Sequence, residues 1–96
     1  MRHQAMEIRR SLLIPRDADF HTLCQVSLAE WQGLPTLRQG QFDDLKFEND
    51  QFRVWTSRAR FADYDSDPSA FAADRLCVEQ LIGGAWRRLD RYGRLL

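Results

Sequence analysis

The stretch from Phe42 to Phe61 constrains the fold most, because its alternating polar and apolar residues predict one β-hairpin. Asn49 and Asp50 tolerate the positive φ of a tight turn, so we expect them at the tip. The expected pairs are Glu48 with Gln51, Phe47 with Phe52, Lys46 with Arg53, Leu45 with Val54 and Asp44 with Trp55. Leu45, Phe47, Phe52 and Val54 would then share an apolar face, and Asp44, Lys46, Arg53 and Trp55 the opposite, polar face.

The end of the second strand breaks this alternation. Arg58 and Arg60 have the same parity as Phe52 and Val54, so a regular strand would point them into the core. A β-bulge near Thr56–Ser57 would turn both arginines outward. We therefore predict a bulge at that position.

Residues 75–92, RLCVEQLIGGAWRRLDRY, predict a second hairpin with Gly83 and Gly84 at its tip. The expected pairs are Ile82 with Ala85, Leu81 with Trp86, Gln80 with Arg87, Glu79 with Arg88 and Val78 with Leu89. Glu79 and Arg88 would form a cross-strand pair of opposite charge beside Trp86.

One helix is predicted from Asp17 to Trp31, ahead of the hairpins. Its apolar stripe follows the helical period, and Gly33 with the following Leu34-Pro35 is a stop signal. Asp17 and Asp19 are placed to cap its first turn. The stripe consists of Phe20, Leu23, Cys24, Ser27, Leu28 and Trp31.

These elements predict a mainly β protein with one N-terminal helix, in one domain over residues 17–96. A small, strongly bent antiparallel sheet or barrel of four to five strands, Sm-like or SH3-like, would hide the sheet edges. The alternative is an open α+β sheet with one helix. Residues 1–16 form an arm that is a strand, a helix or mobile, and the second methionine, Met6, leaves open whether residues 1–5 are native.

The order of elements is similar to that of Sm-like small β-barrel proteins, with a leading helix and then a short bent antiparallel sheet. Gly40-Gln41-Phe42-Asp43-Asp44 resembles the Gly…Asp opening of that family's first motif, although its usual Asn is missing from the expected place. Arg91-Tyr92-Gly93 resembles the Arg-Gly of the second motif. The resemblance implies single-stranded RNA as a partner and assembly into rings.

The net charge of zero hides segregated blocks: residues 17–52 carry −5 and residues 61–74 carry −4, whereas residues 1–16, 53–60 and 75–96 each carry +3. We expect these blocks mainly to pair within the molecule. Two tryptophans beside arginines on outward faces predict either a homodimer or higher homo-oligomer interface or a nucleic-acid surface. The candidate binding residues are Arg53, Trp55, Arg58, Arg60, Trp86 and Arg88.

Catalytic and metal signals are weak, so we predict a non-enzymatic binding or interaction module with no cofactor. Cys24 lies on the apolar stripe and is read as a structural thiol. The loop DYDSDPSAFAAD places Asp63, Asp65 and Asp67 like calcium ligands, a remote alternative because Pro68 occupies the position that needs glycine. Two cysteines outside any CxxC pair, and no run of apolar residues long enough for a membrane helix, favour the cytoplasm and no membrane partner.

Overall fold

The computed structural model describes residues 14–58 and 75–96, which form two short helices and five strands. The helices are α1 (Phe20–Cys24) and α2 (Leu28–Gly33). The strands are β1 (Arg38–Gln39), β2 (Asp43–Glu48), β3 (Phe52–Ser57), β4 (Leu76–Ile82) and β5 (Ala85–Leu89).

All five strands belong to one antiparallel sheet in the order β1-β2-β3-β4-β5. The mainly β class with leading helical structure is therefore confirmed. Within the described ranges β1 and β5 do not pair with each other, so the sheet is open, as in the alternative prediction, and is not a closed barrel. β1 has only two residues, which leaves it little backbone with which to close a barrel.

The prediction of a single helix from Asp17 to Trp31 is wrong, because the chain breaks between α1 and α2. Asp19 caps α1 by accepting a hydrogen bond from the N–H of Thr22 at 2.9 Å. Ser27 starts α2 with a reciprocal capping box: its hydroxyl accepts from the N–H of Glu30, whose carboxylate accepts from the N–H of Ser27. The predicted stop holds, since α2 ends at Gly33.

The first hairpin forms, but its register differs from the prediction. Next to the turn the shift is two residues, since Glu48 pairs with Arg53 instead of Gln51, and beyond the bulge it is one residue, since Leu45 pairs with Trp55 instead of Val54. The loop between the end of β2 and the start of β3 has three residues, 49–51. The Asn49 carboxamide fixes that loop: its oxygen accepts from the N–H groups of Gln51 and Phe52, and its nitrogen donates to the carbonyls of Arg16 and Ala18. These last two contacts come from a distant part of the chain.

The hairpin has a bulge on β2, and not near Thr56–Ser57 on β3 as predicted. Leu45 pairs with Trp55 and Phe47 with Val54, so Lys46 is the extra residue on β2, whereas β3 stays regular from Phe52 to Ser57. Lys46 points toward α2, where its Nζ donates to the carbonyls of Gln32 and Leu34 at 3.2 and 2.7 Å. Expecting Lys46 beside Trp55 on the outward face, and a bulge near Ser57, was therefore wrong.

The second hairpin matches its prediction in every pair, from Ile82–Ala85 at the turn to Val78–Leu89. Gly83 and Gly84 adopt φ values of 58° and 82°, the left-handed conformations that a two-residue hairpin turn requires. Beyond β5 the chain turns back at Asp90, and Leu95 forms a bridge with Leu89.

The core lies between the two helices and one face of the sheet, which we call the inner face. Trp31 is fully buried there, and its ring meets that of Phe47 edge to face, with centroids 6.4 Å apart. Leu45 is only 2 % exposed, yet it pairs with Trp55 and lies outside this cluster. The cluster consists of Ala18, Leu23, Leu28, Trp31, Phe47, Phe52, Val54, Leu76, Val78 and Leu89.

Only the last part of the predicted 1–16 arm belongs to the described residues. Ile14 packs against the core, and the carbonyl of Arg16 accepts from Asn49, so these residues are part of the folded domain. The predictions for residues 1–13 and for the acidic loop 63–74 lie outside the described ranges.

Candidate binding surface on the outer face of the sheet

The face of the sheet opposite the helices, which we call the outer face, carries a cluster of arginine and tryptophan around Arg53. The Cζ atom of Arg53 on β3 lies 4.1 Å from the ring centroid of Trp86 on β5 and 5.7 Å from that of Trp55. Each distance is within the range of a cation–π contact. The outer-face residues include Arg38, Arg53, Trp55, Cys77, Glu79, Trp86 and Arg88.

Glu79 on β4 lies at the centre of this cluster. Its Oε1 accepts a hydrogen bond of 2.7 Å from the indole N–H of Trp55 and lies 3.3 Å from Nε of Arg53. The contact with Arg53 is an ion pair without the angle of a hydrogen bond. The two charged side chains are only 17 % and 21 % exposed, so the pair is less screened than an ordinary surface salt bridge.

Trp55 is enclosed from the direction of β1 as well. The Cζ of Arg38 lies 5.6 Å from the Trp55 ring centroid. A Cβ atom built on Gly40 would come within 3.2 Å of that same ring, so the absence of a side chain lets the turn after β1 approach it. Trp55 therefore has a fixed position with little freedom to rotate.

Arg58 secures that turn and does not join the cluster. Its guanidinium donates to the carbonyls of Gly40, Gln41 and Asp43 and forms a 2.6 Å ion pair with Asp44. All four acceptors lie in one short segment. Arg58 therefore has a structural role in holding the turn against the end of β3.

A shallow depression of about 300 Å³ opens between this turn and the cluster. Phe42 stands at its rim with 70 % of its surface exposed. Backbone groups, aromatic rings and side chains of positive and negative charge all line it, so it offers aromatic surface beside polar groups. The lining residues are Gly40, Gln41, Phe42, Asp43, Arg53, Trp55, Cys77 and Glu79.

Cys77 is a free thiol and is one of the residues that line the depression. Burial raises its pKa to about 11, and the carboxylates of Glu79 and Asp43 act in the same direction against the opposing effect of Arg88 and Arg53. Burial also raises the pKa of Cys24. Both thiols are therefore protonated near neutral pH. The ring of His21 forms a separate hydrogen bond with the carboxamide of Gln25.

The structure brings together four of the six predicted binding residues: Arg53, Trp55, Trp86 and Arg88 share the outer face. Arg58 instead contacts the turn after β1, and Arg60 lies outside the described residues. Sequence reasoning missed Arg38, Phe42 and the central place of Glu79. The predicted Glu79–Arg88 pair was the available signal for Glu79, whereas the β3–β4 register that brings Arg53 beside it involves residues far apart in sequence.

The described residues contain no group of three or more metal-binding side chains, and none of their helices is long and apolar enough to cross a membrane. The remote calcium candidates Asp63, Asp65 and Asp67 belong to the part of the chain that is not described.

The fold and surface define a small α+β domain with an open antiparallel sheet and one partly covered aromatic face. Comparison with known proteins gives no match: no protein family, curated protein or solved structure is significantly similar to the chain. The resemblance to Sm-like proteins stays a prediction.

Proposed function

We propose that this protein is a small non-enzymatic interaction module that binds a second copy of itself through the outer face. The observation that carries the proposal is the Arg53 cluster, in which two tryptophans are fixed on the side of the sheet away from the core. Tryptophan and arginine are the residues most enriched at energetically important interface positions. Because their contacts already restrict their rotation, less conformational entropy is lost on binding.

Two features favour a protein surface as the partner. Phe42 adds a large exposed ring at the rim of the depression. The outer face also contains charges of both signs, since Glu79 and Asp43 accompany the arginines. Mixed charges allow a copy related by a two-fold axis to place opposite charges against one another.

Sedimentation equilibrium over a wide range of concentration tests the proposal. We expect a reversible dimer, with the dissociation constant raised about tenfold or more in Phe42→Ser, because Phe42 is exposed and its loss does not open the core. Tyr92→Ser is the matched control, since Tyr92 is 69 % exposed in the turn after β5. A monomer at every concentration, or a dimer that Phe42→Ser and Trp86→Ala leave unchanged, overturns the proposal.

Single-stranded RNA is the second candidate, favoured by three arginines and two tryptophans on one face. In its disfavour, guanidinium groups of the protein already contact both indole rings, so a base would have to displace them to stack there. Binding of oligouridylate at low salt, lost as salt rises and weakened by Arg38→Gln, would support the RNA candidate. No binding at low salt would exclude it for this probe.

A further inference from the structure

The outward edge of β5 has backbone groups that face away from the sheet at Trp86. Leu81 pairs with Trp86, and the N–H of Leu81 donates to Gln51 on the opposite side, at 2.8 Å. In an antiparallel ladder, the two residues of a pair direct their N–H and C=O groups either toward each other or both away. The N–H and C=O of Trp86 therefore point away from β4, along the free edge.

Residues 94–96 already pair with the second half of this edge through an isolated bridge. The N–H of Leu96 donates to the carbonyl of Arg88 at 3.0 Å, and the N–H of Asp90 donates to the carbonyl of Arg94 at 2.8 Å. Among the described residues, the edge from Ala85 to Arg87 has no strand beside it.

The chemistry of this edge is basic. Arg87 and Arg88 alternate between the two faces of β5 and both are exposed, as is Ala85. Residues 75–96 together carry a net charge of +3. Two copies of β5 placed edge to edge would bring four arginines together, and such charges on an edge strand oppose self-pairing. Charge complementarity instead favours an acidic strand.

We propose that the β5 edge from Ala85 to Arg87 binds an extended acidic peptide segment of a partner protein as an added antiparallel strand. Backbone hydrogen bonds to Trp86 would hold the segment, and acidic side chains would lie opposite Arg87. Apolar β-branched residues would lie opposite Trp86, where cross-strand contact with an aromatic ring is favourable. The edge and the outer face share Trp86, so the peptide test uses Arg87, whose side chain lies on the other face of β5.

The test uses a fluorescein-labelled peptide that alternates glutamate and valine, with fluorescence anisotropy of the full-length protein as the readout. We expect saturable binding that weakens with salt, and no binding of the lysine–valine peptide of equal length. Arg87→Glu should weaken binding at least tenfold, whereas Arg16→Glu, an equal charge change at an exposed residue outside the sheet, should leave it within about twofold.

Backbone methylation then separates strand addition from simple charge attraction. With glutamate opposite Arg87, the valine N–H groups face β5, because the N–H of Leu96 opposite Arg88 has that orientation. Methylation of the valine nitrogens should therefore weaken binding about tenfold, and methylation of the glutamate nitrogens should not. Equal loss with both peptides, or no binding at low salt, overturns the proposal. So does self-association that is strengthened by Arg87→Glu while the peptide stays unbound, since it assigns the edge to a second copy.

Discussion

The guanidinium carbon of Arg53 lies 4.1 Å from the ring centroid of Trp86, although the two residues belong to strands separated by β4. The contact therefore spans β4 on its outer face. Glu79, which lies on β4, is paired with Arg53 and accepts a hydrogen bond from Trp55. The Arg53 side chain thus connects β3 with Glu79 on β4 and with Trp86 on β5, and this explains how polar groups help to order a surface that has no helix packed on it.

Replacement of Arg53 by alanine should lower the free energy of unfolding by about 2 kcal/mol, because it removes two cation–π contacts and the ion partner of a largely buried carboxylate. Urea unfolding followed by tryptophan fluorescence measures the change. Arg38→Ala is the control: it removes a single contact of an exposed arginine and should cost less than about 1 kcal/mol. Equal losses in the two variants would contradict the central place of Arg53.

The Ser27 hydroxyl should contribute to stability, because it caps the first turn of α2. The apolar stripe from Phe20 to Trp31 gave no sign that a new helix begins there. Ser27→Ala removes the acceptor of the Glu30 N–H and should destabilise the protein by about 1 kcal/mol. Ser27→Thr keeps a capping hydroxyl and should remain within a few tenths of a kcal/mol of the original, which thermal unfolding can resolve. An alanine variant as stable as the threonine variant would show that the cap contributes nothing.

The capping carboxylate also predicts an acid limb of stability. The N–H of Ser27, and then its hydroxyl, lower the pKa of Glu30 below 4.5. A carboxylate whose pKa is lower in the folded state stabilises the protein above the unfolded pKa, and this contribution is lost as the pH falls through the folded pKa. The free energy of unfolding should therefore fall below pH 4.5. Glu30→Gln should make this fall shallower, whereas an identical slope would contradict the assignment.

The second hairpin could be predicted from sequence because its determinants are local. Gly83-Gly84 is a strong two-residue turn signal, and once the turn is placed the register of every pair follows. The matching prediction for the first hairpin failed by two residues at the turn and by one residue beyond the bulge. Asn49 shapes its loop partly through carbonyls of Arg16 and Ala18, and Lys46 bulges toward the end of α2. Those contacts depend on how the helical segment packs against the hairpin, and the sequence of the hairpin alone does not reveal that packing.

In the candidate surface, too, the features set by local sequence were predicted and those set by distant contacts were not. The parity of Trp55 and Trp86 places both on the outward side, as predicted. Their joint contact with Arg53 depends on the pairing of Arg53 with Glu79, and the residues between β3 and β4 give no local signal for that register. Arg58 was expected among the binding residues because of its charge and because a bulge near Thr56–Ser57 would have turned it outward. Its acceptors are backbone carbonyls, which a reading of side-chain patterns does not count.

Gly84→Ala should destabilise the protein by about 1 kcal/mol, because alanine has to adopt a φ of 82° at the hairpin turn. Gly33→Ala is the matched control at the end of α2, where a Cβ would meet no atom within 4 Å. It should be neutral or stabilising by up to about 1 kcal/mol, because alanine has less backbone freedom in the unfolded chain. Chemical unfolding of both variants compares the two sites, and a loss at Gly33 as large as that at Gly84 would contradict this account.

Cys77 should react slowly with iodoacetamide, because only a thiolate attacks and burial raises the pKa of this thiol to about 11. A cysteine with the ordinary pKa of 9.0 would contain about a hundred times more thiolate near neutral pH. In a Cys24→Ser background, alkylation followed by mass spectrometry should therefore be at least about a hundredfold slower in native protein than in urea. Its rate should keep rising with pH beyond 9.0, since the thiolate fraction grows until the pH reaches the raised pKa. Fast alkylation of the native protein at neutral pH would show that the Cys77 thiol is open to solvent, contrary to the burial that raises its pKa.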